Sequence, residues 1–501
     1  LIWSLMELIY IFYKLSLLFC AVYGFHRLFL AITASRFLPQ DPLSLKTWDR
    51  SPFVTIQLPV YNEYFVIKQL LESVSKIDYP RALLEIQVLD DSTDETTILA
   101  QDMVEQLKSQ GLNIELIHRQ RRDGYKAGAL ANGLLKAQGE FVAVFDADFI
   151  PSPDFLKRTI DYFTDESVGM VQARWAHQNP DDSLLTRLQS VLIDGHFLVD
   201  QFARFSSGKF FNFNGSAGIW RRRTIDEAGG WQADTLAEDL DLSYRAQMQG
   251  WKFVLLSNYQ VKQELPKEIT AFKQQQYRWS KGSLQVGCKL LPKIWKSSSM
   301  PLKVKLEATF HLTNTFAYVF VLMTSLVTLP IILGPPPVKD FLDGIFVDAG
   351  LFIAGMGSLI FYYVISQKRQ VHNWMTRLWF FPFFISGIAG FSLVYIKAIL
   401  EVLMNKRTPF IRTPKKGSPS SFGPNTKVFY KVAFDPYFIG EIFMAGYLTV
   451  VLYMMILKHH MDMAAFLVLI VLGYYYVIIM SLLEWLPARI DPARVLRNST
   501  I

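Results

Sequence analysis

"FVAVFDADF", residues 141–149, begins as an uninterrupted apolar run and ends by presenting Asp146 and Asp148 with one alanine between them. A run of this kind reads as a strand covered on both faces, as in a parallel sheet. Two carboxylates at its end repel each other unless something sits between them. Hard divalent cations such as Mg²⁺ or Mn²⁺ take oxygen ligands, usually one or two carboxylates plus substrate phosphates. The same punctuation recurs nearby. "QVLDDST" closes a strand with Asp90 and Asp91, and "LPVYNE" closes another with Tyr61, Asn62 and Glu63. Capping of the next helix is the competing role for such acids, and Asp94 in "DSTDE" suits it.

Outward from these ends, strands are expected over 53–59, 84–90, 113–119, 140–147 and 168–175, with helices over 63–76, 94–109 and 125–137. Alternating elements imply a mostly parallel sheet covered on both faces, whose ligands bind beyond the carboxyl ends of the strands. Three strand ends would then offer polar or acidic groups to one crevice. "DGYKAGAL" (123–130) places Lys126 at a glycine-flanked helix start, where phosphate oxygens can be met. Neither G-x-x-x-x-G-K-[ST] nor G-x-G-x-x-G occurs, which argues against an NTPase loop or a dinucleotide fold.

The whole chain has 501 residues, is 51% hydrophobic and carries a net charge of +7. That is an integral membrane protein with a sizeable soluble part. Its two cysteines, Cys20 and Cys288, suggest neither a metal knuckle nor a disulfide framework. The charge fits basic loops beside membrane spans, or a domain handling phosphates; no nucleic-acid partner is expected. Apolar runs near the ~20 residues needed to cross a bilayer lie at 4–32, 310–334, 347–366, 437–458 and 463–486. The first is too long for a cleaved signal peptide. Basic stretches at 36–50, 289–305, 367–377, 405–416 and 487–497 mark the cytosolic side. Residues 378–403 are apolar too, but basic segments flank them on both sides, and Pro382, Gly387 and Gly390 interrupt them. They are therefore expected to form an interfacial helix or re-entrant pair, giving five crossings.

Two later motifs add chemistry. "LAEDLDL" (236–242) sets Glu238 and Asp239 before a helical run, as N-caps or as a general base. "FKQQQYRWSKG" (272–282) gathers Gln275, Arg278 and Trp279 within about a helical turn. Arginine can grip a diphosphate through two parallel bonds, and tryptophan offers a face for a sugar ring. A membrane-surface helix with snorkelling arginine and interfacial tryptophan is compatible with both roles.

D-D-S, D-A-D, E-D and Q-Q-Y-R-W, in that order and set among membrane spans, resemble the processive family 2 glycosyltransferases, the group containing cellulose, hyaluronan and chitin synthases. "GYKAGAL", "VQARW", "NFNGSAGIWRR" and "GWKF" are most similar to the plant cellulose-synthase-like mannan and glucan synthases and their bacterial relatives. The resemblance implies a GT-A-like α/β nucleotide-sugar domain at 38–305, after an N-terminal transmembrane helix (1–37) and before a bundle of transmembrane and interfacial helices (306–501). On matching positions it implies that Tyr61, Glu63, Asp90, Lys126, Asp146, Gln275 and Arg278 bind the nucleotide sugar. Asp146 and Asp148 would hold Mg²⁺ or Mn²⁺, Asp239 beside Glu238 would be the base, and Asn214, Gly215, Ser216 and Trp279 would meet the acceptor. "PFIRTPK" (409–415), within a loop at 405–430, is similar to the family's F-x-V-T-x-K gating loop, which implicates Phe410, Thr413 and Lys415. Arg412 stands where that motif has valine.

The implied reaction is inverting transfer of a hexose from a nucleotide sugar to a growing β-linked polysaccharide, which the bundle exports. UDP-glucose is slightly preferred over GDP-mannose as donor. The catalytic domain would be cytosolic, at the plasma membrane of a bacterium or the Golgi of a plant. Transfer of a single sugar to a membrane lipid is the alternative. A transporter would need ionisable residues inside the spans, and only Lys14, Glu401 and Glu441, near span ends, stand out.

Overall fold

The computed structural model describes residues 2–334, 341–412, 435–459 and 461–490. Within them one sheet contains β1 (Val54–Val60), β2 (Leu84–Asp90), β3 (Ile114–His118), β4 (Phe141–Val144), β5 (Phe149–Ile150), β6 (Val168–His177), β7 (Gly218–Arg221) and β8 (Lys252–Gln263). The strand order is β3-β2-β1-β4-β7-β6-β8-β5. β1 lies between its parallel partners β2 and β4, and β2 pairs in parallel with β3. β7 runs antiparallel to both β4 and β6, while β6 and β8 are parallel and β5 is an antiparallel edge.

The parallel half forms for the reason its sequence suggests. Every residue of β2 and β4 is buried, and Ile56, Leu58, Ile86 and Val88 are each at most 1% exposed. Burying a side chain of that size contributes about 1.5–3 kcal/mol. Crossover helices Ile67–Val74, Thr96–Ser109 and Tyr125–Lys136 cover the sheet. The last comes unusually close at Gly133, where a Cβ would stand 2.6 Å from the Gln57 amide nitrogen. That nitrogen donates to Gln87 Oε1 at 3.0 Å, so the donor side of the buried amide is paired.

Among the described residues, six helical stretches are long and apolar enough to cross a membrane: Leu5–Ser35, Phe316–Leu333, Gly350–Gln370, Trp374–Leu403, Phe438–Leu457 and Leu467–Leu486. This is one more than the five crossings expected. The addition, Trp374–Leu403, is not one straight rod. A 3₁₀ segment (Trp374–Phe380) leads into helices Phe381–Gly390 and Ser392–Leu403, which are separated at Phe391. The first packs on helix Met461–Ile490 and the second on helix Ile269–Lys296. Small residues allow close approach: a Cβ on Gly473 would lie 1.9 Å from the Ser386 carbonyl oxygen, and one on Gly24 would lie 2.8 Å from Gly355 Cα. Leu8, Phe25, Ile439, Phe443 and Tyr453 stay largely exposed on the outside of the bundle. Such an apolar coat suits lipid rather than water.

Helix Ile269–Lys296 joins the sheet domain to the bundle. Its first amide groups, at Ile269 and Thr270, donate to the Glu484 carboxylate. Lys273 is 1% exposed and pairs with Glu441 at 2.7 Å and with Asp435. Lys281, fully buried, pairs with Glu401 at 2.7 Å and donates to the Lys406 carbonyl and the Thr408 hydroxyl. Glu401 and Glu441 therefore act as clamps on this helix, and neither is an isolated charge in a span.

Candidate active site

One cleft opens beyond the carboxyl ends of β1, β2 and β4. Tyr61, Glu63, Asp91, Lys126, Asp146, Asp148, Asn214, Gly215, Glu238, Asp239, Gln275, Arg278, Trp279 and Phe410 all line it. Most of the residues expected at a site thus meet in one cavity, although they come from eight separate stretches of chain.

Asp146 lies two residues beyond Val144, the last residue of β4. Its backbone N–H donates to Ser216 Oγ at 2.9 Å, so the turn before β7 fixes the start of the acidic loop. Lys126, at the start of helix Tyr125–Lys136, bridges the same two segments. Its ammonium lies 2.5 Å from Asp146 Oδ1 and donates to the Gly215 carbonyl at 2.8 Å. Burial pushes the Asp146 carboxyl above its ordinary value, Lys126 opposes this, and the neighbouring Asp148 adds to it. A carboxyl whose proton affinity is raised by burial and by a second carboxylate beside it suits a hard cation. Among the described residues no three His, Cys, Asp or Glu side chains gather as a complete cage. Two carboxylates with room for phosphate oxygens are nonetheless the donor set that Mg²⁺ or Mn²⁺ uses beside a substrate.

Asp239 stands in the first turn of helix Glu238–Met248, and its Oδ1 accepts from the Leu240 amide at 2.8 Å. A helix N-terminus normally favours the carboxylate. Here burial dominates, the adjacent Glu238 reinforces it, and the Asp239 carboxyl is pushed up to about 7 despite Lys126 and the Leu240 amide. A carboxylate poised near neutrality is suited to proton transfer. Gly215 makes room for it: at φ +83°, an added Cβ would lie 2.9 Å from Asp239 Oδ2.

Gln275, Arg278 and Trp279 project from helix Ile269–Lys296, whose clamps set their place against the sheet domain. The Arg278 guanidinium is held below its ordinary value by burial, against the pull of Glu238, Asp146 and Asp239. It lies 4.4 Å from the Phe410 ring centroid. Trp279 remains 37% exposed, leaving a ring face for a ligand.

The other end of the cleft is aromatic and cationic. The Arg122 guanidinium lies 3.4 Å from the Tyr61 ring centroid, and Phe410 stacks on Tyr125 at 6.0 Å. Arg412 grips Glu63 through two bonds of 2.7 Å and also donates to the Asn62 carbonyl.

Two expected contacts are corrected. Asp90 does not face the cleft. It is fully buried and accepts from the Ser92 amide and the Thr97 hydroxyl, and His118 shares its second oxygen. Its neighbour Asp91 faces the cleft instead, held by Arg119 through bonds of 2.7 and 2.6 Å. Ser216 is likewise fully buried, and its Oγ accepts from the Asp146 amide. Thr413 and Lys415 lie outside the described residues. Sequence reasoning missed Arg122 and Trp175 as cleft residues and took Arg412 only as a departure from a motif. Arg122, four residues before Lys126 in "RRDGYKAG", was visible as a second cation near the same helix start.

A mostly parallel sheet bearing acids at its strand ends, flanked by apolar helices, is the GT-A-like architecture of enzymes that use nucleotide sugars. Residues 52–282 match the model of "Glycosyltransferase like family 2". Glucomannan 4-beta-mannosyltransferase 2 of Arabidopsis thaliana is 37% identical over 393 residues, covering 75% of this chain and 70% of that protein. The chain belongs to this glycosyltransferase family. Glucomannan 4-beta-mannosyltransferase 1 of Oryza sativa subsp. japonica is 42% identical over 282 residues, 55% of this chain and 53% of that protein. The chain thus spans about half the length of the rice relative. Among solved structures, a mannosyltransferase from Pyrobaculum calidifontis, in complex with GDP-Man and Mn²⁺, matches with a TM-score of 0.52 at 20% identity. That match covers 78% of this chain and all of the other, and it establishes likeness of fold.

Proposed function

We propose that the protein is a membrane-embedded, inverting β-mannosyltransferase that takes mannose from GDP-mannose and extends a β-linked mannan or glucomannan. The observation carrying this reading is the meeting of Asp146, Asp148, Lys126, Asp239 and Arg278 in one cleft beside a membrane bundle. The sequence alone leaned slightly towards UDP-glucose. The names of the mannosyltransferase relatives support mannose as the sugar, and the GDP-Man bound to the solved mannosyltransferase supports GDP as its carrier.

Asp146 and Asp148 would hold Mn²⁺ or Mg²⁺, which supplies charge neutralisation at the diphosphate. Arg278 and Lys126 take up negative charge as the GDP leaves. Asp239 accepts the proton of the acceptor hydroxyl, whose oxygen attacks the anomeric carbon from the face opposite the phosphate. The carbon–oxygen bond to phosphate breaks as the new glycosidic bond forms, so an α-linked donor gives a β-linked product. Trp279 supports the terminal sugar of the acceptor. The catalytic domain is assigned to the cytosolic side, and the bundle to the polymer's route out.

The test is the full chain in lipid nanodiscs, supplied with GDP-mannose or UDP-glucose and Mn²⁺. The expected result is release of GDP and a polymer cut by endo-β-mannanase, with both lost on chelation. Turnover of UDP-glucose alone would overturn the donor assignment. A product that partitions into organic solvent would overturn the polymer assignment in favour of a glycolipid.

A further inference from the structure

Asn214 lines the cleft, but a polar scaffold with no part in the chemistry proposed for the site holds it in place. Its Oδ1 accepts from His196 Nε2 at 2.7 Å and from Asn212 Nδ2 at 3.2 Å. Its Nδ2 donates to the Asn212 carbonyl at 3.2 Å, and its backbone N–H donates to Gln172 Oε1 at 2.9 Å. With Oδ1 engaged twice, the side-chain amide cannot turn over without losing both bonds. Nδ2 carries two hydrogens. Among the described residues only the Asn212 carbonyl takes one, which leaves the other for the cleft. The next residue, Gly215, lies against Asp239. The spare N–H is therefore offered close to where the base must meet the acceptor hydroxyl.

His196 opens a π-helical turn, His196–Gln201, directly after helix Leu184–Gly195. Such wide turns are rare and concentrate at functional sites. This one is fastened on two sides. Towards the cleft, fully buried Gln201 donates to the Asn212 carbonyl at 2.8 Å, alongside the His196 bond to Asn214. Towards the bundle, Asp200 pairs with Arg27 of the apolar helix Leu5–Ser35, and Arg204 Nε donates to Glu307 at 3.0 Å. Burial holds the His196 imidazole down to about 4, against the pull of Asp200 and of the bond to Asn214. The ring is thus neutral at pH 7. It has a single N–H, and because Oδ1 can only accept, that proton sits on Nε2.

We propose that His196 is a positioning residue for the acceptor: from the π-turn it fixes the Asn214 amide with an N–H facing the incoming sugar hydroxyl. This rests on the polysaccharide-acceptor reading and deepens it. A hydroxyl oxygen that accepts from Asn214 keeps its own proton free for Asp239. A turned-over amide would present Oδ1 instead and compete with Asp239 for that proton. His196 touches no substrate in this arrangement and acts only through Asn214.

The experiment measures mannosyl transfer to added β-1,4-mannohexaose by the full chain in nanodiscs with Mn²⁺, varying acceptor and GDP-mannose separately. His196→Ala should raise the acceptor KM about 2- to 12-fold, the worth of one neutral hydrogen bond, and leave the GDP-mannose KM within about twofold. His196→Phe, which fills the space without an N–H, should match it and serves where the alanine variant does not fold. His196→Gln keeps an N–H donor and should bring the acceptor KM back to within about twofold of the unaltered value. In an Asn214→Ala background, removing His196 should change the acceptor KM no further. Equal rises in both KM values, no recovery with His196→Gln, or additive losses in the double variant would each overturn the positioning role. Failure of the acceptor reading appears without any variant, as an unaltered protein that turns over GDP-mannose but transfers nothing to mannohexaose, and it takes the proposal with it.

Discussion

Replacing Gly215 by alanine tests the geometry of the base more directly than replacing the base itself. Two effects of the added methyl can be separated. The backbone at φ +83° disfavours any residue with a Cβ, at a stability cost of about 1–3 kcal/mol. The Cβ would also stand 2.9 Å from Asp239 Oδ2 and 3.3 Å from Lys126 Nζ. The carboxylate has to swing aside, and misplacing a reacting group by about 1 Å costs on the order of 100-fold in rate, about 2.7 kcal/mol of barrier. Gly250 supplies the control: its φ is +96°, and nothing lies within 4 Å of its ideal Cβ. Alanine there should carry the backbone cost alone. Initial rates of GDP release at saturating donor should fall about 100-fold for Gly215→Ala and stay near the unaltered value for Gly250→Ala. Melting in detergent should shift down for both. Should Gly215→Ala retain kcat within about threefold, a discrepancy of more than 2 kcal/mol in the barrier, Asp239 is not the base or does not sit where the cleft places it.

Two further outcomes are expected. With the Asp239 carboxyl pushed up to about 7, the deprotonated base is lost as pH falls through that value. Then kcat/KM should drop about tenfold per pH unit on the acid side. A profile flat down to about pH 5.5 contradicts the assignment. Lys273→Met strips the buried partner from Glu441 and Asp435, which should cost about 3–5 kcal/mol. Combining it with Glu441→Gln should recover part of the lost detergent melting temperature, whereas an unshifted melt for Lys273→Met alone would show the clamp to be inert.

The parallel half of the sheet was legible because β4 reads as an unbroken apolar run, and β1 and β2 carry an apolar residue at every other position. β7, only "GIWR" before further arginines, carries no such run, and the two-residue β5 is too short to register. β8 was hidden differently: its burial is uneven along Lys252–Gln263, so neither alternation nor continuity stood out. The acids gave away the cleft but not which member of each pair serves it. In "VLDDST" both aspartates fit either role, and only the turn geometry turns Asp90 inward to Ser92 and Thr97. Ser216 failed for a similar reason, since a backbone amide claims its hydroxyl. Arg412 was unreadable because its meaning depends on Glu63, 349 residues away in sequence.

The Lys281 ammonium ties the helix bearing Arg278 to a distant stretch, at the membrane-side Glu401 and at Lys406 and Thr408 just after it. The segment that carries Phe410 and Arg412 into the cleft is therefore pinned at its root. From Thr408 to Arg412 is four peptide steps, a tether of about 13–14 Å at full stretch. That leash bounds how far Arg412 can lie from the anchorage at Thr408. Admission of a donor should thus need a short hinge stroke, with no parting of the sheet domain from the lipid-facing helices.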